Sequence, residues 1–195
     1  MRVRGNTEAA VLIPIRGWPE NPAITFTERR ADLAKHAGEI SFPGGRCDPG
    51  DRDAAATALR EAHEEIALDP SSVEIAGALP PVGTFITSYR IMPFVGLIAP
   101  ETELRPNPGE VETILEFEIE ALARAYEMRR LVRRGLPIRT PAFEMGRHLI
   151  WGATARMLAE LLHRLQLLNP GARRGQEPVS TGTSTRLPHS VQEPS

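Results

Sequence analysis

One stretch constrains this chain more than any other: residues 53–67, DAAATALREAHEEIA, followed by Asp69-Pro70. Its composition predicts a helix, capped by Asp51 or Asp53 and stopped by the Asp-Pro pair. At about 100° per residue, Ala55, Leu59, Ala62 and Ile66 form an apolar stripe, and Glu61, Glu64 and Glu65 share an arc of about 100° on the other side. A helix marked this way must lay its stripe on an apolar surface. The rest of the chain offers short strand-like runs for that purpose, at residues 9–15 (AAVLIPI), 23–27, 40–42, 73–79, 84–87, 91–98 and 113–119. Two further helices are expected, over 121–134 and 148–168. The last presents Leu149, Ile150, Ala153, Met157, Leu158, Leu161, Leu162 and Leu165 at helical spacing, which reads as core or as the seam of a homodimer. Strands interleaved with a few helices predict an α/β (α+β) domain and not a bundle.

At 195 residues the chain is long enough for one well-buried domain. That domain is expected over residues 1–169. Beyond it, 170–195 turn to Gly, Pro, Ser, Thr and Arg, the composition of a disordered tail. Lys and Arg number 23 against 25 Asp and Glu, which excludes a strongly basic nucleic-acid binder. The single cysteine, Cys47, excludes an internal disulfide framework and a Cys-rich zinc site. No apolar run is long enough to span a membrane, and the early residues lack a signal-peptide cleavage site, so the cytoplasm is the expected location.

The acidic face of the 53–67 helix carries the chemistry. Glu61 and Glu65 are i,i+4 neighbours and Glu61 and Glu64 are i,i+3, spacings at which like charges repel by a few tenths of a kcal/mol. A divalent cation reverses that cost, and carboxylates on one rigid face suit Mg²⁺ or Mn²⁺. Just upstream, Phe42-Pro43-Gly44-Gly45 ends a short strand in a glycine pair that lets backbone approach a ligand closely.

A strand, a Gly-Gly turn, a short acidic loop and an R-E-x2-E-E helix together resemble the Nudix hydrolases, whose box reads G-x5-E-x7-R-E-U-x-E-E-x-G-U with U aliphatic. Gly45 matches the first glycine, and Arg60, Glu61, Glu64, Glu65 and Leu68 match the second half. Here the spacing from Gly45 to Arg60 is one residue longer, the loop acid is Asp51 or Asp53 in place of glutamate, Ala62 is small for the aliphatic position, and Ala67 replaces the second glycine. The stretch TFTERRADLAKHAGEISFPGG also resembles the motif LLTxR[S/A]x3Rx3Gx3FPGG of the branch that cleaves coenzyme A. Thr27, Arg29, Gly38, Phe42, Pro43, Gly44 and Gly45 match it. Arg30 stands where a small residue is expected and Ala34 where an arginine is expected; Arg30 or Lys35 is a candidate to stand in for that arginine.

The resemblance implies the Nudix fold, a mixed β-sheet sandwiched between helices. It implies metal-dependent hydrolysis of the pyrophosphate of coenzyme A and its derivatives, with Mg²⁺ or Mn²⁺ held by Glu61, Glu64 and Glu65. Arg60 is expected to orient a glutamate, and Arg29, Gly44 and Gly45 to meet substrate phosphate. Glu110, or its neighbour Glu112, is the candidate general base. The partner is then a small nucleoside diphosphate derivative, with no nucleic acid and no membrane. Alternatives are a Nudix diphosphatase acting on ADP-ribose, NADH or a nucleoside triphosphate, and a non-catalytic Nudix sensing module.

Overall fold

The computed structural model describes residues 7–32, 38–84, 88–133 and 136–168. The proposed tail at 170–195 lies outside the described residues, as do Ala34, Lys35 and residues 85–87 of the strand expected over 84–87.

The fold is organised by strand β1 (Thr7–Arg16). Its apolar run is buried on both faces. Ala10 and Leu12 point into one hydrophobic cluster, and Val11, Ile13 and Ile15 into another. The period-2 alternation of a pleated strand makes one uninterrupted run serve two cores. β1 runs parallel to β7 (Tyr89–Ile98) along its full length, and β5 (Glu74–Ala78) and β6 (Val82–Gly83) pair antiparallel with β7.

On its other side β1 meets β2 (Ala23–Arg29) only at Ile15 and Arg16, and the two strands then diverge. The segment ISFPGGR fills the gap: β3 (Ile40–Ser41) pairs with β2 and β4 (Gly44–Arg46) pairs with β1. Phe42, between them, stacks on Phe26 at 4.8 Å. This wedge brings the glycine pair to the middle of the sheet. β8 (Val111–Glu118) closes the far side of β2, completing an eight-stranded mixed sheet.

Helix α1 (Ala54–Ile66) lies on one face, over the cluster of Ala10, Leu12, Ala58, Ala62, Ile66, Leu68 and Ile98. Helix α3 (Gly152–Arg164) lies on the other, with Met157, Leu158, Leu161 and Leu162 buried within this single chain. The sheet is therefore sandwiched between helices, as expected. Asp53 is the N-cap of α1, its carboxylate accepting from the Ala56 N–H at 2.8 Å. The buried stripe centres on Ala58, Ala62 and Ile66, with Ala55 and Leu59 only half-buried, so the helix is rotated from the expected orientation.

The helix expected over 121–134 is corrected by the structure. Helix α2 is short (Ile119–Ala125), and the chain continues as β9 (Tyr126–Arg133), which pairs antiparallel with β10 (Leu136–Met145). Tyr126 packs on Phe143 at 5.6 Å, and ladder pairing plus this contact outweigh the helical propensity of the arginines. Likewise 148–168 begins as a strand, β11 (His148–Ile150), paired with β10.

α1 ends at Ala67, which adopts φ 53° and ψ 26° and donates its N–H to the His63 carbonyl. This left-handed position is the one that glycine occupies in the family box. Ala67→Gly is expected to stabilise the protein by about 1 kcal/mol and to raise Tm by about 2–4 °C, read by thermal melting.

Candidate active site

The α1 face towards the glycine pair holds the acids. Glu65 is only 6% exposed, and Glu61 is half-buried beside it. The Gly44 N–H reaches Glu65 Oε2 at 3.4 Å. A methyl group at Gly45 would overlap the Glu61 carboxylate, and one at Gly44 would overlap the backbone of Ala10 and Val11. Strand β4 thus forms a wall against the two carboxylates, and glycine is required for that approach. Because a carboxylate end moves more easily than backbone, Gly45→Ala is expected to fold normally while displacing Glu61. Activity should fall about a hundredfold with little change in Tm, read by steady-state kinetics beside a thermal melt.

Burial drives the carboxyl of Glu65 up to about 8, reinforced by the charges of Glu61 and Glu110; the Gly44 N–H and Arg29 pull the other way. Burial raises Glu61 as well, against the opposing pull of Arg60. The pocket therefore makes ionisation of Glu65 costly: water is scarce there and the Gly44 N–H is a distant donor at 3.4 Å, while Glu61 is answered from its outer side by Arg60. This donor set, two carboxylates against backbone, fits a hard divalent cation.

Arg60 stands at the opposite edge and gathers the other acids. Its Nε lies 3.0 Å from Asp51 Oδ1 and its Nη2 3.2 Å from Asp51 Oδ2. Nη1 reaches both oxygens of Glu64, at 3.2 and 3.1 Å, and Nη2 is 3.0 Å from Glu61 Oε1. Asp51 also accepts from Thr57 Oγ1 at 2.7 Å. The Arg60 guanidinium, first, and then the Asp48 N–H and the Thr57 hydroxyl hold its carboxyl well below the usual range. Of the two loop acids considered, Asp51 is the one paired with the helix and Asp53 is the cap.

The structure thus brings Glu61 and Glu65 together at the glycine wall, while Glu64 is exposed and held by Arg60. Among the described residues, no three His, Cys, Asp or Glu side chains converge as a ready-made metal cluster. Arg29, at the end of β2, is near enough for its charge to favour ionised Glu65, and Glu110, exposed on the 105–111 loop, for its charge to oppose ionisation of both Glu61 and Glu65. Glu112 acts on Arg30 instead. Tyr89 begins β7, and His63 is exposed with Nδ1 3.2 Å from the Leu68 carbonyl. Sequence reasoning missed the anchoring of the 105–111 loop on α1, where the N–H groups of Arg105 and Asn107 donate to the carbonyls of Ile66 and Glu65 at 2.9 and 2.8 Å. The breaker-rich RPNPG run marks a loop, but nothing in it names the α1 carbonyls that receive the loop's N–H groups.

Comparison with known proteins places this geometry. The NUDIX domain family model matches residues 7–135. A protein of Escherichia coli (strain K12) named uncharacterized Nudix hydrolase NudL is 42% identical over 159 residues, covering 79% of this chain and 80% of that protein. Its namesake from Pectobacterium atrosepticum is 39% identical over 162 residues, covering 82% and 83%. Among solved structures, a MutT/nudix family protein from Enterococcus faecalis superposes with TM-score 0.54 at 10% identity, covering 85% of this chain and 64% of that chain. The Nudix hydrolase RenU from M. smegmatis gives 0.50 at 18% identity, covering 64% and 78%. Nudix hydrolases act on nucleoside diphosphate derivatives and generally use divalent metal ions. Among the described residues, no helix is long and apolar enough to cross a membrane. With a family model spanning most of the chain and relatives near 40% identity over four fifths of it, this protein belongs to the Nudix hydrolase family.

Proposed function

We propose that this Nudix hydrolase cleaves the pyrophosphate of coenzyme A and its derivatives. The bridging P–O bond breaks, the oxygen of water bonds to phosphorus, and the products are adenosine 3′,5′-bisphosphate and 4′-phosphopantetheine or its acylated form. The observation that carries this reading is the stretch from Thr27 to Gly45, where Thr27, Arg29, Gly38 and Phe42-Pro43-Gly44-Gly45 match the coenzyme A motif and the final glycines form the wall facing Glu61 and Glu65.

In this reading Glu61, Glu64 and Glu65 hold Mg²⁺ or Mn²⁺. The bound ion would neutralise the diphosphate and lower the pKa of its water. Arg60 positions Glu61 and Glu64 through direct ion pairs. Gly44 and Gly45 leave room for the diphosphate against backbone, Arg29 contacts a phosphate, and Glu110 accepts the proton of the attacking water. What supports Glu110 is its place on the 105–111 loop, which is fastened to the Glu65 and Ile66 carbonyls of α1, and a charge that opposes ionisation of both Glu61 and Glu65. An unchanged kcat in Glu110→Gln would refute that assignment.

The test is a substrate panel of coenzyme A, an acyl-coenzyme A, ADP-ribose, NADH and a nucleoside triphosphate, with Mg²⁺ or Mn²⁺ and separation of products. Preferred cleavage of the coenzyme A forms is expected. Hydrolysis of ADP-ribose with coenzyme A untouched would overturn the substrate assignment and leave the family intact; Ala34, in place of the motif arginine, is the residue that would then account for it.

A further inference from the structure

Arg30 departs from the coenzyme A motif, which expects a small residue there, and the structure gives it a definite task. The 105–111 loop is fastened on its inner side to the C-terminus of α1 by the N–H groups of Arg105 and Asn107. Asn107 then organises the bend: its carbonyl accepts from Glu110 and Val111 at 3.1 and 2.9 Å, and its side-chain Oδ1 accepts from Gly109 at 3.0 Å. Between these anchors, Pro108, Gly109 and Glu110 project outwards. Two carbonyls of this projection, those of Pro108 and Glu110, are held by the same residue. The Arg30 side-chain Nη1 donates to Pro108, and the Arg30 backbone N–H donates to Glu110 at 3.2 Å. Asp32 fixes the guanidinium by accepting from Nε at 2.9 Å and Nη2 at 2.7 Å. This bidentate fork leaves Nη1 directed at the loop.

We propose that Arg30 is a positioning residue, a clamp that holds the 105–111 loop so that Glu110 stays within reach of Glu61 and Glu65. This rests on the reading of Glu110 as a participant in hydrolysis. It also gives Arg30 a different role from the phosphate ligand that the sequence made it a candidate for, because Asp32 and Pro108 already engage its Nε, Nη1 and Nη2. Arg30 and Asp32 sit at the surface, so substitutions there leave the core untouched.

The experiment pairs hydrogen–deuterium exchange of residues 105–111, without substrate, with steady-state kinetics on coenzyme A and Mn²⁺. Wild type is compared with Arg30→Gln, Arg30→Lys, Glu110→Gln and the Arg30→Gln/Glu110→Gln double variant. In Arg30→Gln the loop should exchange faster, and kcat should fall about tenfold with KM nearly unchanged. Arg30→Lys, a single donor without the fork, should recover part of both losses. The double variant should be no slower than Glu110→Gln alone, since a clamp has nothing to position once the carboxylate is gone. Unchanged loop exchange in Arg30→Gln overturns the clamp, and so does a raised KM with kcat preserved, the signature of a phosphate ligand. Full activity in Glu110→Gln overturns the reading of Glu110 itself, a separate result because loop exchange is measured without turnover.

Discussion

Glu65→Gln is expected to lower kcat/KM by about 10²–10³-fold while making the metal-free protein more stable above pH 8. The two effects share one cause. Glu65 sits almost wholly out of water, with Glu61 as a charged neighbour and the Gly44 N–H no nearer than 3.4 Å. Ionising it there is costly unless a cation answers the charge. Glutamine has the same shape and no charge to bury, so the folded chain is relieved of that cost. The same change removes the negative charge that would hold a divalent ion against the glycine wall. A merely structural Glu65 would lose stability on this substitution and keep its activity. Steady-state kinetics with Mn²⁺, beside melts in chelator at pH 8.5, read both effects.

The second large effect is the pH dependence of the metal-free protein. Folded Glu65 titrates near 8 against an ordinary value of 4.5. Between those values the folded state binds a proton that the unfolded state has released. Stability therefore declines as pH rises from about 4.5 to about 8 and levels off beyond. The amount is on the order of a few kcal/mol, at roughly 2–4 °C of Tm per kcal/mol for a chain of this length. Burial adds to the trend at Glu61. The opposite slope belongs to Asp51, Asp53 and Asp69, whose carboxyls are held low by Arg60 and by backbone and hydroxyl donors, so stability also falls in strong acid. Metal-free melts from pH 3 to 9 should peak near pH 5, and Mn²⁺ should flatten the decline on the alkaline side. A metal-free Tm that rises steadily from pH 5 to 8 would contradict the burial of an uncompensated carboxyl.

Much of this was legible in the residues. The 9–15 run was legible as a strand because it is short and apolar throughout, the pattern of a strand buried on both faces. The glycine pair and the R-E-x2-E-E helix were readable as one unit because each is a short-range pattern. Glu65 was readable in principle but lies elsewhere than expected. On a wheel it falls about 20° from Ala58 and about 60° from Ala62, whereas Glu64 is about 120° from Ala58. Three glutamates that share a polar face by sign are therefore one buried, one half-buried and one exposed. Two features were not legible. The β9 and β10 hairpin replaces a helix because of a partner strand and the Tyr126 contact with Phe143, neither of which is local. The anchoring of the 105–111 loop uses mainly backbone groups, which every residue carries and no composition announces.

The carboxylate pocket can be read without any substrate by titrating Mn²⁺ into the metal-free protein at pH 7, by calorimetry in two buffers of different ionisation heat. A folded carboxyl near 8 is mostly protonated at that pH, so binding should release roughly one proton per ion, and Glu65→Gln should bind more weakly and release fewer protons. Equal affinity in the two proteins, with no proton released by either, would contradict the assignment of Glu65 to the metal.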